Sequence, residues 1–119
     1  DEEANLRLAR MIRRAGISTN VPAQGSVRSG AVELFLAGVT RTAHPDAEFV
    51  VHSWMDENGR EARDYPASDP VHAEYLDYYT DMGVPLPAAQ AFYALTNSVS
   101  FSEQLRLSRH DMARFQLLH

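Results

Sequence analysis

The sequence contains neither cysteine nor lysine, and each absence narrows what the chain can do. Without cysteine there is no disulfide, no thiolate nucleophile and no Cys-based metal site. The eleven basic residues are all arginines, which we interpret as a codon-usage signature. No histidine pair has metal-ligand spacing and no glycine loop is suited to phosphates, so the sequence predicts no metal and no cofactor.

The net charge argues against a nucleic-acid partner, and the short hydrophobic runs argue against a membrane span. The formal net charge is −5, and no basic stripe is present to neutralise phosphates, so nucleic acid is not an expected partner. No apolar run reaches the roughly 18 residues that a membrane span requires, and no signal peptide is visible. Because the first residue is Asp1, we expect a chain that was processed, trimmed or cut from something longer.

A chain of 119 residues predicts one domain, and the order of its elements predicts an α/β fold. The expected elements are helices over 2–15, 30–37, about 70–82, about 87–97 and a short one capped by Ser108, and strands over 17–21, 39–43, 47–52 and from 105, with a turn over 25–28. Periodicity predicts an apolar face on the first helix, formed by Leu8, Met11, Ile12 and Ala15. The polar segment over 56–64 is expected to be an exposed loop.

The segment from Gly25 to Gly38 and the histidine after it contain the chemical signal of the chain. Gly25 opens a turn, Ser29 stands at the start of an apolar helix, and His52 ends a short apolar strand. A serine hydrolase needs a hydroxyl at a helix N-terminus and an imidazole that removes its proton. We therefore predict Ser29 as nucleophile and His52 as general base. The backbone N–H of Gly30 is the expected donor to the developing oxyanion.

Ordinary structural roles compete with these assignments. Serine is among the commonest helix N-caps, so the alternative for Ser29 is a cap of its own helix. The alternative for His52 is a strand-end histidine that hydrogen-bonds to backbone. The remaining internal histidines, His44, His72 and His110, are expected to be exposed to solvent.

Aromatic residues concentrate in the two long helices predicted in the second half of the chain. The rings are those of Tyr75, Tyr78, Tyr79, Phe92 and Tyr93. They are expected to form the core between these helices, together with the apolar side chains of Val71, Leu76, Ala88, Ala91 and Leu95. A lid or subunit contact over the active site is the alternative role.

The order of these motifs resembles the Clp protease proteolytic subunit and the wider crotonase-like superfamily. In the Clp family a glycine stands four residues before the nucleophilic serine, whose apolar helix ends in Ala-Gly before a strand delivers the catalytic histidine. Gly25, Ser29, Gly38 and His52 match this pattern. The segment over 107–117 resembles the family's stretch in which a hydrophobic-Ser pair begins a helix.

The resemblance implies a single Clp/crotonase-like domain over residues 1–119, built as a spiral of ββα units. It places the first strands of that spiral, and the glycine pair that supplies half of the oxyanion hole, before Asp1. It also implies a serine hydrolase, peptidase-like, that acts on a peptide or acyl substrate and assembles as a homo-oligomer. The nearest resemblance is to bacterial Clp-like proteins predicted to be secreted or periplasmic, and a cytoplasmic location stays open.

Two positions depart from the Clp pattern. The family's catalytic aspartate aligns with Gln104, or with Glu103 beside it. Glu103 is expected to orient His52 if it reaches the ring, whereas Gln104 offers a hydrogen bond without charge. The residues before the serine are small in the family but are Val27 and Arg28 here, so Arg28 would crowd the pocket or bind an acidic group of the substrate.

These departures keep other functions open. A catalytically silent Clp-like scaffold or binding module that oligomerises is the main alternative to the hydrolase. Acyl-thioester chemistry of the crotonase type is a third interpretation, because it relies on backbone donors and carboxylates and does not need Ser29. Nothing in the sequence favours that third interpretation.

Overall fold

The computed structural model describes residues 2–119, which form five helices, five short strands and one 3-10 turn. The helices are α1 (Glu2–Arg14), α2 (Gly30–Leu36), α3 (Pro70–Asp81), α4 (Leu86–Thr96) and α5 (Arg109–Arg114). The strands are β1 (Thr19–Val21), β2 (Ser26–Arg28), β3 (Arg41–Ala43), β4 (Glu48–Val51) and β5 (Leu105–Ser108), and the 3-10 turn spans Ala62–Asp64.

The strands form two small sheets. In the first, β1 pairs in parallel with β3. In the second, β4 is central, parallel to β2 and antiparallel to β5. Since α2 follows β2 and precedes β3, its N-terminus leaves one sheet and its C-terminus leads into the other. This mixed arrangement confirms the expected α/β class.

Helix α1 packs along α2 and contacts both of its ends. The Nδ2 group of Asn5 donates to the carbonyl of Gly30 at 3.0 Å. Two turns further on, Nη1 of Arg13 donates to the carbonyl of Gly38 at 2.8 Å. The small side chain of Ala9 is fully buried between these two contacts. The spacing of Asn5, Ala9 and Arg13 therefore decides which face of α1 meets the protein.

The predicted apolar face of α1 is wrong for most of its members. Leu8 and Met11 are 48% and 60% exposed, and Ala15 is exposed as well. Only Ile12 packs partly against the core. Periodicity alone favoured the larger apolar residues. The hydrogen bonds of Asn5 and Arg13 instead hold another face of the helix against the protein.

The expected turn over 25–28 contains strand β2. Its residues pair in register with β4, so that Val27 lies opposite Phe49. Gly25 precedes the strand at a point of close approach, because a Cβ atom there would lie 2.7 Å from Cγ1 of Val21. The expected loop over 56–64 is also more ordered, with a bridge between Met55 and Glu61 followed by the 3-10 turn.

The second half of the chain agrees with the predicted helices to within one residue at each end. Pro70 is the first residue of α3, and the carboxylate of Asp69 caps the helix by accepting from the backbone N–H of Val71. Ser108 and Asp111 form a reciprocal capping box at the start of α5, as the sequence predicted for Ser108.

The aromatic rings of α3 and α4 are core residues. All five predicted rings are buried: Tyr75, Tyr78, Tyr79, Phe92 and Tyr93. The neighbouring prediction for Ala91 is wrong, since this residue is exposed and Ala89 is buried instead. The interpretation of these rings as helix–helix core is therefore the correct one, although four of them also border the cavity described below.

A buried arginine joins three helix ends near the start of β3. The guanidinium of Arg41 donates to the carbonyls of Leu36, Gly38, Met82 and Leu117 at 2.7–3.3 Å. These carbonyls lie at or just after the C-terminal ends of α2, α3 and α5, where the helix dipole favours a positive charge. Arg41 is 2% exposed, and the backbone carbonyls satisfy its buried charge.

Candidate active site

Ser29 occupies a strained position between strand β2 and helix α2. Its backbone adopts φ 53° and ψ −124°, a region that non-glycine residues rarely adopt. Its own N–H is held by the carbonyl of Val50 on β4 at 3.0 Å. This sharp turn from a strand into a helix exposes the hydroxyl of Ser29 at the edge of the sheet.

The hydroxyl of Ser29 meets the imidazole of His52. The distance from Ser29 Oγ to His52 Nε2 is 2.6 Å. His52 directly follows β4, and β4 pairs with β2, so the register of the two strands brings both residues to the same edge. Ser29 is exposed and His52 is half-buried. The two side chains singled out by the sequence therefore lie in direct hydrogen-bond contact.

The second ring nitrogen of His52 contacts a backbone carbonyl. Nδ1 lies 2.8 Å from the carbonyl oxygen of Ser53, which can only accept a hydrogen bond. In the neutral ring Nδ1 therefore has the proton and Nε2 has the lone pair. Because Nε2 faces Ser29, this tautomer lets the imidazole accept the hydroxyl proton of the serine.

Ser29 is the N-cap residue of α2, but its side chain does not cap the helix. Its side chain makes no capping hydrogen bond to α2, because the hydroxyl is directed to His52. The first turn of the helix is instead stabilised through backbone, since Val32 N–H donates to the carbonyl of Ser29 at 2.9 Å.

The predicted contact of Glu103 with His52 is absent. Glu103 Oε1 accepts from the hydroxyl and the N–H of Ser100, and both Glu103 and Gln104 are exposed. The place beside His52 is taken by Phe101, whose ring meets the imidazole edge-on with centroids 5.0 Å apart. The loop after α4 directs an aromatic residue, rather than a carboxylate, toward the histidine.

Arg28 neither crowds the site nor faces it. Its guanidinium donates to Ser26 Oγ at 3.0 Å and to Glu48 Oε1 at 3.2 Å, along the exposed surface of the sheet. Successive residues of a strand point to opposite sides, and Val27 is the half-buried one. The expectation that Arg28 lies in the pocket is wrong because the pleat and Glu48 hold it outside.

The other histidines differ in their surroundings. His44 and His110 are exposed, as expected, and His44 pairs with Asp46 at 2.7 Å. His72 is half-buried, contrary to expectation, because its Nδ1 lies 2.7 Å from the hydroxyl of Tyr93. The same hydroxyl accepts from Nε1 of Trp54 at 3.1 Å.

A cavity of about 200 Å³ adjoins Ser29 and His52. Gly30 and Glu33 of α2 line it on one side, and rings from α3 and α4 line the other. The peptide of Gly30 is fixed by Asn5, which bonds its carbonyl. Glu33, Phe101 and Ser53 were missed by sequence reasoning. The signal for Glu33 was available, since it is the one charged residue in the apolar helix Gly30–Leu36.

Among the carboxyl groups that line the cavity, that of Glu33 has a strongly raised pKa. Burial of the carboxyl group raises its pKa to about 8, and the nearby negative charge of Glu2 adds to the increase. The residue is half-buried overall. Its carboxyl group is thus reachable through the cavity yet surrounded by protein, which favours the neutral form at pH 7.

Comparisons with known proteins give a likeness in fold. No protein-family model matches the chain, and no curated protein matches it. Among solved structures it is similar to a membrane-bound stomatin-specific protease, solved as a lysine-to-alanine mutant in complex with a substrate peptide. The identity is 12%, the TM-score is 0.63, and the match covers 98% of this chain and 53% of that protease.

The chain therefore spans about half the length of that protease. At this identity the likeness shows the fold alone. Separately, none of the helices within residues 2–119 is long and apolar enough to cross a membrane. The fold expected from the sequence and the fold of a peptide-binding protease thus agree in their coarse features.

Proposed function

We propose that this chain is a peptidase-like serine hydrolase in which Ser29 is the nucleophile and His52 the general base. The observation that supports this most is the 2.6 Å contact between Ser29 Oγ and His52 Nε2 on a strained strand-to-helix turn. A strained backbone persists only where its surroundings hold it, and such residues cluster at active sites. The fold shared with a protease is consistent with this chemistry.

The reaction follows from the tautomer of His52. Nε2 takes the proton of Ser29 as Oγ bonds to the substrate carbonyl carbon, and the carbonyl oxygen becomes an oxyanion. The backbone N–H of Gly30 is the proposed donor to this oxyanion. His52 then gives the proton to the leaving group as its bond breaks, and a water molecule repeats the sequence to release the acid and regenerate Ser29.

The carbonyl of Ser53 takes the place of the usual carboxylate in this scheme. It fixes the ring orientation and keeps the proton on Nδ1. A neutral carbonyl stabilises the imidazolium less than a carboxylate would, so we expect modest turnover. This same feature favours the second candidate, a catalytically silent scaffold that retains the fold.

The resemblance to the Clp family also implies an architecture, an assembly and a location, which we include in the proposal. We propose the spiral of ββα units, a homo-oligomer and a periplasmic or secreted bacterial location on the strength of the Clp-like motifs. Leu8 and Met11, both exposed on α1, are consistent with a subunit contact. Sedimentation velocity of the protein tests the oligomer, and a monomer at all concentrations would contradict it.

Ester hydrolysis distinguishes the hydrolase from the silent scaffold. We expect the protein to hydrolyse a nitrophenyl ester, with kcat/KM reduced at least 100-fold in Ser29→Ala and in His52→Gln. Ser26→Ala and His44→Gln are matched controls, because both residues are exposed and their hydrogen bonds go to Glu48 and Asp46 rather than to Ser29 or His52. Turnover that survives both site substitutions, or no turnover at all, would favour the scaffold.

A further inference from the structure

The size and place of the cavity beside Ser29 and His52 suit one substrate side chain. Pockets for drug-sized ligands begin at about 300 Å³, and this cavity measures about 200 Å³. Because Ser29 and His52 border it, its occupant would belong to the residue whose carbonyl group is attacked. The composition of the cavity then indicates what that side chain is.

Aromatic rings form one wall of the cavity. The Trp54 and Tyr75 rings stack with centroids 5.7 Å apart and an interplanar angle of 4°. Tyr75 in turn stacks on Tyr93 at 5.7 Å, and all three residues line the cavity. Such rings pack against methylene groups and attract cations. This wall therefore suits a long side chain with a cationic end.

The ionisable side chains that line the cavity, apart from His52 and the tyrosines, are carboxylic acids. Glu2 of α1 and Glu33 of α2 line it, and no arginine among residues 2–119 does. Within residues 2–119 the ion pairs involve other carboxylates, and none of them joins Glu33 to a cation. Its carboxyl group is desolvated, which makes the charged form costly until a cation pairs with it.

A larger groove of about 710 Å³ adjoins the cavity and continues its acidic character. The two share Glu2, Trp54, Met55 and Tyr75 as a common boundary. The remaining charged residues of the groove are Glu3, Asp56, Glu74 and Asp77 with Arg7 and Arg10. Arg10 is engaged by Asp81 at 2.6 Å. The groove is thus negative and favours the approach of a basic chain.

We propose that this cavity selects substrates with a lysine or arginine side chain on the residue whose carbonyl group Ser29 attacks. The ammonium or guanidinium end pairs with the carboxylate of Glu33, and the methylene stem lies against Tyr75 and Tyr93. The proposal rests on the hydrolase function above and adds a substrate class to it: peptides or acyl compounds with a basic residue at the cleaved position.

Binding of a cation is expected to release a proton. Glu33 is protonated at pH 7 because its pKa is about 8, and a paired cation lowers that pKa. The other titratable groups that line the cavity are Glu2, His52, Tyr75, Tyr79 and Tyr93. Burial raises the pKa of each of these tyrosines, so they stay neutral. The variant Glu33→Gln separates the contribution of Glu33 from those of Glu2 and His52.

Two phosphonate esters test the preference during reaction. One has an aminobutyl side chain, which mimics lysine, and the other a butyl side chain of the same length without charge. We expect the aminobutyl ester to modify Ser29 about tenfold faster, as one ion pair of about 1.4 kcal/mol would give. In Glu33→Gln this ratio falls toward one, whereas Glu57→Gln, an exposed glutamate in a loop, retains it.

The outcomes separate this inference from the function on which it rests. Equal rates in the wild-type protein, or a faster butyl ester, would overturn the selection of basic residues while leaving the hydrolase intact. A ratio that persists in Glu33→Gln would also overturn it, because another group would then be responsible. Failure of both esters to modify Ser29 would count against the hydrolase itself.

A binding measurement addresses the cavity without any reaction. In Ser29→Ala the fluorescence of Trp54, the single tryptophan of the chain, reports occupancy of the cavity it lines. We expect N-acetyl-lysine methylamide to bind more tightly than N-acetyl-norleucine methylamide and to release a proton at pH 7, measured as a buffer-dependent heat. Equal affinity, or proton release unchanged by adding Glu33→Gln, would refute the proposal even if no ester reacts.

Discussion

The N-terminal and C-terminal ends of α2 differ in how their polar groups are satisfied. At the N-terminus Ser29 holds a strained backbone conformation, and its hydroxyl contacts His52 instead of capping the helix. At the C-terminus the carbonyls of Leu36 and Gly38 both accept from the buried guanidinium of Arg41. One end of the helix is strained and exposed to solvent, whereas the other is buried and held by a guanidinium group.

This difference explains how a seven-residue helix can hold a strained residue at one end. A residue in a sparsely populated backbone region costs about 1–3 kcal/mol and persists only where its neighbours determine it. Here Val50 holds the N–H of Ser29 and Asn5 holds the carbonyl of Gly30. Arg41 fixes the far end of the same helix. Backbone hydrogen bonds at Ser29 and Gly30, together with Arg41 at the far end, therefore hold the strained serine in place.

Removal of the guanidinium at the C-terminal end has the largest expected effect on stability. Arg41→Met removes the guanidinium donor from the buried carbonyls of Leu36, Met82 and Leu117, whereas Gly38 keeps its bond from Arg13. We expect a loss of about 4 kcal/mol in the free energy of unfolding. Urea denaturation measures it. The control Arg63→Met removes an exposed guanidinium and should change stability by about 0.5 kcal/mol at most. Equal effects of the two would contradict the role given to Arg41.

The burial of the Glu33 carboxyl group, in the middle of α2, can be tested through the pH dependence of stability. Below about pH 4.5 Glu33 is protonated in the folded and unfolded states; above it the unfolded state loses this proton first. Because its folded pKa is about 8, stability falls as pH rises between these values. Glu33→Gln removes this loss. Its advantage in Tm over the wild type should be near zero at pH 4.5 and reach several degrees at pH 9.

The control for this pH test is Glu57→Gln, whose residue is exposed. It should follow the wild-type curve of Tm against pH. A Glu33→Gln advantage that is constant across the range would show that the ionisation of Glu33 is not its cause.

The strain at Ser29 has a smaller expected effect on stability. Relief of this strain should raise the free energy of unfolding, whereas Arg41→Met lowers it. Ser29→Gly and Ser29→Ala both remove the hydrogen bond to His52, but only glycine adopts a positive φ without steric cost. After the greater flexibility of glycine in the unfolded chain is included, we expect the glycine variant to be about 1 kcal/mol more stable than the alanine variant. Thermal denaturation of the pair decides it, and a more stable alanine variant would argue against strain.

An effect of similar size is expected at the contact of α3 with the middle of α2. The hydroxyl of Tyr78 donates to the backbone carbonyl of Glu33, and Tyr78→Phe should cost about 1 kcal/mol. Tyr65→Phe is the matched control, because Tyr65 donates to Asp56 near the surface. Denaturant titration compares the two, and a larger loss at Tyr65 would show that α2 does not depend on this contact.

The sequence predicted the elements whose ends have their own local signal. Pro70 begins α3, and Ser108 with Asp111 caps α5, so these bounds agree within one residue. Strand β2 was missed, since three residues give no periodic pattern and its pairing with β4 is a contact distant in sequence. Long-range pairing cannot be deduced from local composition alone.

The candidate site likewise contains residues that the sequence could predict and contacts that it could not. Ser29 and His52 were predicted as a pair from their order along the chain and their match to the Clp pattern. In the structure they meet because both follow strands of one sheet. The partner of His52 Nδ1 was predicted as a side chain, whereas the structure shows the backbone carbonyl of Ser53. Backbone partners have no signature in the sequence. Glu33 did have one, a single carboxyl group within an apolar helix.

The central claim is that the strained end of α2 is the chemically reactive one. Trypsin cleaves after Arg28 and Arg41, so the digest yields a peptide over 29–41 that begins with Ser29. After treatment with a fluorophosphonate, mass spectrometry should find the adduct on Ser29 in this peptide, with labelling slowed at least 100-fold in His52→Gln. An adduct on another peptide, or labelling that does not depend on His52, would contradict the account.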